Sequence, residues 1–166
     1  MTDGSLCDYT GAMTEHRLGT LYWIDHYVAP TNDLYRHIDF MEQVLGATVH
    51  QRMPLTTAAR QRGIPIGVFS KVGRYHSVGS FLQDKMLPAS GPLGSTPRYG
   101  YFIRDEDISA HLRRLDEHGA VHSEPIATCE AGEEGTAIYF QDPDENQYEF
   151  WAPTHMPAGA VESDNP

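Results

Sequence analysis

The feature that most constrains this chain is an order of elements that occurs twice. A strand, a helix and three further strands can be read along the sequence, and the same order returns about 75 residues later. In the first occurrence Leu18 to Ala29 (LGTLYWIDHYVA) reads as a strand, and Thr31, Asn32 or Asp33 can cap the helix that follows. Leu34, Ile38, Met41, Val44 and Leu45 fall on one face of that helix, and Gly46 ends it as a C′ glycine. Strand-like runs follow at Ala47 to Met53, Gly63 to Val72 and Tyr75 to Gln83. In the second occurrence Tyr99 to Ile103 is the strand, and Asp105 or Asp107 starts the helix. Ile108, Leu112 and Leu115 form its stripe and Gly119 closes it, before strands near His122 to Cys129, Thr136 to Gln141 and Gln147 to Trp151. Leu87 to Pro97 (LPASGPLGSTP) is the one clear linker.

This order predicts one α+β domain made of two βαβββ modules, whose curved, mostly antiparallel sheets face each other. Its parts are an N-terminal arm (1–17), a first module (18–86), the linker (87–97), a second module (98–153) and a C-terminal tail (154–166). A chain of 166 residues is long enough for a real core.

Composition narrows the partners. The formal charge of −11, from 12 basic and 23 acidic residues, argues against nucleic acid and anionic membranes. Nothing is long or apolar enough to span a bilayer, and the N-terminus lacks the basic-then-apolar order of a signal peptide. Cys7 and Cys129 read as two lone cysteines with no CxxC, which suits a reducing cytoplasm. Nine histidines prompt a search for a metal site. His37 and His111 lie on helices, His118 sits at a helix C-terminus, and His16 and His155 lie in the tails. His50 and His122 are on second-position strands.

The last regular stretch, Gly135 to Pro153, reads as a hairpin around the turn Asp142-Pro143-Asp144-Glu145-Asn146. Glu149 stands in its second strand between Tyr148 and Phe150. On a half-exposed strand it would simply face water. Pointing inward, it needs a cation, a donor or a metal.

With these residues quoted, the chain resembles the vicinal oxygen chelate superfamily, which includes glyoxalase I, extradiol ring-cleaving dioxygenases and the bleomycin and fosfomycin resistance proteins. The resemblance covers roughly residues 20–153. It is carried by His26 on the first strand, by Val44-Leu45-Gly46 at the helix end, and by the DPDxNxxE pattern from Asp142 to Glu149. It implies a metal-binding cleft between the modules, with His26 and Glu149 as ligands. The family usually sets a histidine on the first strand of the second half, whereas this chain has Pro97-Arg98-Tyr99-Gly100-Tyr101-Phe102 there. His76 is the substitute the resemblance offers. It is either the third ligand, completing a two-His-one-carboxylate Fe(II) site, or an acid–base beside the metal, as in the HHSLAF-like segment of extradiol dioxygenases. Tyr139, ten residues before Glu149, matches a tyrosine that hydrogen-bonds a catecholic oxygen in those enzymes.

The activity this resemblance implies is Fe(II)-dependent extradiol cleavage of a catechol by O2. The resemblance implies a compact member such as the L-DOPA 2,3-dioxygenases of natural-product biosynthesis. For an amino-acid substrate, Arg98 or Arg104 and Arg74 would face the carboxylate, and Asp25 the ammonium. The resemblance also implies a homodimer. A metal-dependent lyase or isomerase of the glyoxalase or epimerase type is the second reading. A metal-free drug-binding or resistance protein, with its groove between paired chains, is the third.

Overall fold

The computed structural model describes residues 26–53, 56–63, 66–74, 76–83, 91–130 and 132–155. Two four-stranded sheets carry the predicted duplication, as an α+β fold. β1 (His26–Thr31), β2 (Thr48–Arg52), β3 (Gly67–Val72) and β4 (His76–Leu82) form the first, ordered β1-β4-β3-β2. β5 (Arg98–Phe102), β6 (Ile126–Glu130), β7 (Glu133–Gln141) and β8 (Gln147–Pro153) form the second, ordered β5-β8-β7-β6. In each sheet the edge strand pairs parallel to the last strand, β1 with β4 and β5 with β8, while the other pairs are antiparallel.

The helices follow their sequence signals. Asp33 caps α1 (Leu34–Leu45) by accepting from the backbone N–H groups of Tyr35 and Arg36, and Gly46 ends it in the left-handed region at φ 64°. A 3-10 turn (Asp105–Asp107) leads into α3 (Ile108–Glu117). A short helix α2 (Thr57–Gln61), which no apolar periodicity announced, takes up part of the stretch before β3, so that strand starts at Gly67 rather than Gly63. Likewise β6 starts at Ile126 rather than His122, and His122 makes only an isolated bridge to Phe140. The arm, most of the expected first strand (18–25), the first part of the linker (87–90) and the tail beyond His155 lie outside the described residues.

One core serves both modules. Ala29, Phe40, Met41, Val44 and Val78 from the first half are buried with Leu115, Ile138, Phe140, Tyr148, Phe150 and Ala152 from the second. Along β1 and β8 these residues alternate with others that face away, so each sheet has a helix side and an open side. An aromatic seam joins the edge strands. Tyr27 stacks on Tyr99 with ring centroids 3.8 Å apart, its hydroxyl meets that of Tyr101, and the Tyr99 hydroxyl donates to the Val28 carbonyl.

The β7–β8 turn clasps the first module. Asp144 accepts from the Thr31 hydroxyl at 2.6 Å and from Arg36 at 2.8 Å, and the Asn146 amide donates to the Pro30 carbonyl at 3.0 Å. The DPDEN segment, expected only as turn chemistry, therefore also fixes one module against the other.

Cys129 corrects the reading of two lone cysteines: its sulfur is disulfide-bonded. The chain's other cysteine, Cys7, lies outside the described residues. With only two cysteines, spacing carries no pairing information. No helix among the described residues is long and apolar enough to cross a membrane.

Candidate functional site

Glu149 does not face water. It sits in β8 opposite Gly100 of β5 and Tyr139 of β7, on the open side of the second sheet, and is only 5% exposed. Arg98 explains how a carboxylate is held there. Its Nε donates to Glu149 Oε2 at 2.7 Å, its Nη2 donates to Glu130 Oε1 at 2.9 Å, and its Nη1 donates to the Gly94 carbonyl at 3.3 Å. The guanidinium also lies 5.3 Å from the Tyr139 ring centroid, and the Tyr139 hydroxyl donates to Glu130 Oε1 at 3.4 Å. Glu130, at the end of β6, is the member of this cluster that sequence reasoning missed. No sequence signal marked it; the β6–β7 register puts it on the same sheet side as Tyr139 and Glu149.

The linker closes one end of this face. Gly94 sits at φ 85°, its N–H donates to Gln147 Oε1, and a Cβ on it would meet the Tyr139 ring at 3.1 Å. A recess of about 180 Å³ opens on the other side, lined by Gly100, Tyr101, Phe102, Glu130, Glu149 and Trp151. Glu149 Oε1 is buried in the site and has no hydrogen-bond partner among the described residues.

The electrostatics follow from this packing. Burial pushes the Glu149 carboxyl above its ordinary value, and the hydrogen bond and charge of Arg98 pull it part of the way back. Its hydrogen bond to Glu149 raises the Arg98 guanidinium further, so it stays charged. Burial first, then the charges of Glu149 and Glu130, raise the Tyr139 phenol, which stays a neutral donor. Because the folded Glu149 carboxyl is raised, the native state holds a proton that the unfolded chain has released in the window just above the ordinary carboxylate value. Stability is lost as pH rises through that window. Arg98→Met removes the opposing pull, so the loss with rising pH should become larger and reach to higher pH. Urea midpoints from about pH 4 to about pH 8 for the two proteins will check this, and parallel profiles would contradict it.

The predicted triad is not brought together within the chain. His26 pairs with Ser77, so His76 stands one residue out of phase and points to the opposite side of the sheet. His26 shares the open side with Phe69, its ring edge-on to that phenyl at 5.3 Å, whereas His76 shares the helix side with Val78 and Ser80 at an exposed strand end. Neither histidine lines the Glu149 recess. No group of three or more His, Cys, Asp or Glu suited to a metal occurs among the described residues. Among the described residues of one chain the donors do not fit a two-His-one-carboxylate iron site, because the cation against Glu149 is a guanidinium.

The substrate-binding residues scatter. Arg104 is exposed and pairs with Glu106 at 3.5 Å, Arg74 is exposed in the turn between β3 and β4, and Asp25 lies outside the described residues. Only Arg98 belongs to the cluster. Instead of waiting for a substrate carboxylate, it holds those of the protein. His50, set aside in the sequence, reaches the open side of the first sheet, where its Nε2 lies 3.2 Å from Ser77 Oγ.

A second polar cluster has the composition of an acyl-transfer triad but not its access. His37 is fully buried, with Nδ1 2.8 Å from Ser80 Oγ and Nε2 3.0 Å from Asp142 Oδ2. Ser80 is also fully buried and reaches no substrate, so this group is structural.

Comparison with known proteins agrees with the geometry at the level of fold. The fosfomycin resistance protein FosX from Listeria monocytogenes superposes with a TM-score of 0.64 at 17% identity, covering 81% of this chain and 94% of that one. A variant of the same protein was solved with Mn(II) and 1S,2S-dihydroxypropylphosphonic acid, and matches with a TM-score of 0.63 at 15% identity over 80% of this chain and 94% of that one. A glyoxylase/bleomycin resistance protein/dioxygenase domain from Frankia sp. EAN1pec matches with a TM-score of 0.63 at 14% identity, covering 81% and 99%. No curated protein sequence matches the chain. Residues 23–150 match the profile of one family, and the duplicated βαβββ architecture agrees with it. The chain therefore belongs to the Glyoxalase/Bleomycin resistance protein/Dioxygenase superfamily.

Proposed function

We propose that this chain is a metal-independent member of the family that binds a small organic molecule on the open face around Glu149. One observation carries the reading: Arg98 donates to Glu149 at 2.7 Å and to Glu130 at 2.9 Å, so a side-chain cation neutralises the carboxylates a metal would otherwise need. Arg98 stands on the strand where the family resemblance calls for a histidine. A second copy of the chain would close the cleft. Val28, exposed at 41% on edge strand β1, is apolar surface suited to that contact.

A second reading, iron-dependent extradiol cleavage of a catechol such as L-DOPA, is favoured by Tyr139. It stands opposite Glu149 in register, and its hydroxyl belongs to the same hydrogen-bonded cluster. Ferrous iron held by Glu149 and histidines would supply the O2-activating chemistry that ring cleavage needs. This reading requires Arg98 to release Glu149 and requires histidines from a second copy.

Metal analysis of protein produced with added iron, followed by oxygen uptake on adding L-DOPA and simpler catechols, separates the two. The binding reading expects substoichiometric metal and no uptake. Stoichiometric iron, with uptake and a yellow ring-opened product, would establish the dioxygenase instead.

A further inference from the structure

We propose that the recess beside Glu149 takes a protonated amine carried on a flat apolar body. The inference rests on the metal-independent reading of the site and adds the chemical class of the ligand. It starts from Glu149 Oε1, a buried carboxylate oxygen in a side chain that is 7% exposed, with no partner among the described residues. Such an atom is costly unless a donor reaches it. Arg98 is committed to Oε2, to Glu130 and to the Gly94 carbonyl. The donor must therefore come from outside the cluster.

Charge selects the kind of donor. Glu149 and Glu130 face one guanidinium, which leaves the cluster one negative charge in excess. A monocation balances it. A divalent metal would sit against a fixed guanidinium with one free carboxylate oxygen, and an anionic ligand would meet both glutamates. An ammonium offers N–H donors to Oε1 and the matching charge, at the geometry of a charge-assisted hydrogen bond.

The walls select what the amine is attached to. Phe102 and Trp151 pair in register on the same side of the sheet as Glu149, and the Phe102 ring is more than half exposed. Gly100, two residues before Phe102 and paired with Glu149, carries no side chain, and a Cβ there would come no closer than 3.8 Å to Glu149 Oε2. A flat ring can lie over that glycine against the neighbouring Phe102 and Trp151 side chains, aromatic groups that also favour a nearby cation. The recess is smaller than a drug-sized site, so it accepts an amine head and about one ring, the rest of a larger ligand lying outside.

The test uses the full chain, stripped of metal with chelator, and three probes of one shape: phenethylamine, 2-phenylethanol and 3-phenylpropionate. Titration calorimetry should show the amine binding about tenfold or more tightly than the alcohol, and the carboxylate not binding. Glu149→Gln should cost the amine about tenfold while leaving the alcohol unchanged. Phe102→Ala alters an exposed ring, and should weaken the amine without lowering the melting temperature. It keeps the test decisive if the glutamine variant misfolds. Equal binding of amine and alcohol, preference for the carboxylate, no binding of any probe, or indifference to both substitutions would each overturn the proposal. Stoichiometric metal in the untreated protein would overturn the metal-independent reading instead, a result the probe series on stripped protein cannot produce.

Discussion

Leucine in place of His37 is expected to lower the unfolding free energy by about 3 kcal/mol or more, and the melting temperature by roughly 10 °C. The reason is the company His37 keeps. Its Nε2 donates to Asp142 Oδ2, and Asp142 also accepts from the Tyr148 hydroxyl at 3.0 Å, the Asn146 amide at 2.6 Å and the backbone N–H groups of Asp144 and Asn146 at 2.9 Å. His37, Ser80, Asp142 and Tyr148 are buried, and the network spans the two modules. Leucine would leave the hydroxyl of Ser80 and the carboxylate of Asp142 each short of a partner in the interior, a loss larger than the few tenths typical of a surface change. Ser80→Ala removes only the weaker end and should cost about 1 kcal/mol. Urea unfolding of the three proteins gives the comparison. A leucine variant melting within about 2 °C of the parent would show that the network contributes little.

If the metal-independent reading holds, Arg98→His should retain a divalent metal that the parent does not. The substitution removes the cation from between Glu149 and Glu130 and puts an imidazole on the same strand position, giving one nitrogen and two carboxylate donors of the class that Zn(II) and Mn(II) accept. After equilibration with either ion and desalting, the variant should hold about one equivalent and the parent essentially none. Arg98→Met is the control, because it removes the charge without supplying a donor and should stay empty. Metal retained by the parent and lost in the histidine variant would reverse the reading of Arg98 as the resident cation.

The architecture was legible because its signals are local and repeated. The α1 cap, the Gly46 stop and the alternation of Ile138 and Phe140 with their neighbours along β7 each follow from one stretch of chain, and the duplication confirms the order of elements. The site was only half legible. Glu149 declared itself as a carboxylate among aromatics, and Tyr139 by its spacing. Two kinds of fact were not in the sequence. One is phase: His26 and His76 both lie on strands of one sheet, but the parallel register pairs His26 with Ser77, and that single-residue offset puts His76 on the other face. The other is tertiary pairing. Glu130 is distant in sequence from Arg98 and Glu149, and His37 looks like any helix histidine until Asp142 is seen 3.0 Å away. Arg98 was chosen for its charge, and the structure shows that charge already spoken for.

The β7–β8 hairpin lines the recess with Glu149 and Trp151 and, at its tip, carries the residues that grip Thr31, Arg36 and His37. Site and clasp are one piece of backbone, with no hinge between them. Loosening at one end is therefore transmitted as strain to the other, and a molecule that orders the recess raises the threshold for the whole chain to come apart. Occupancy of this protein should be readable from a melting curve alone.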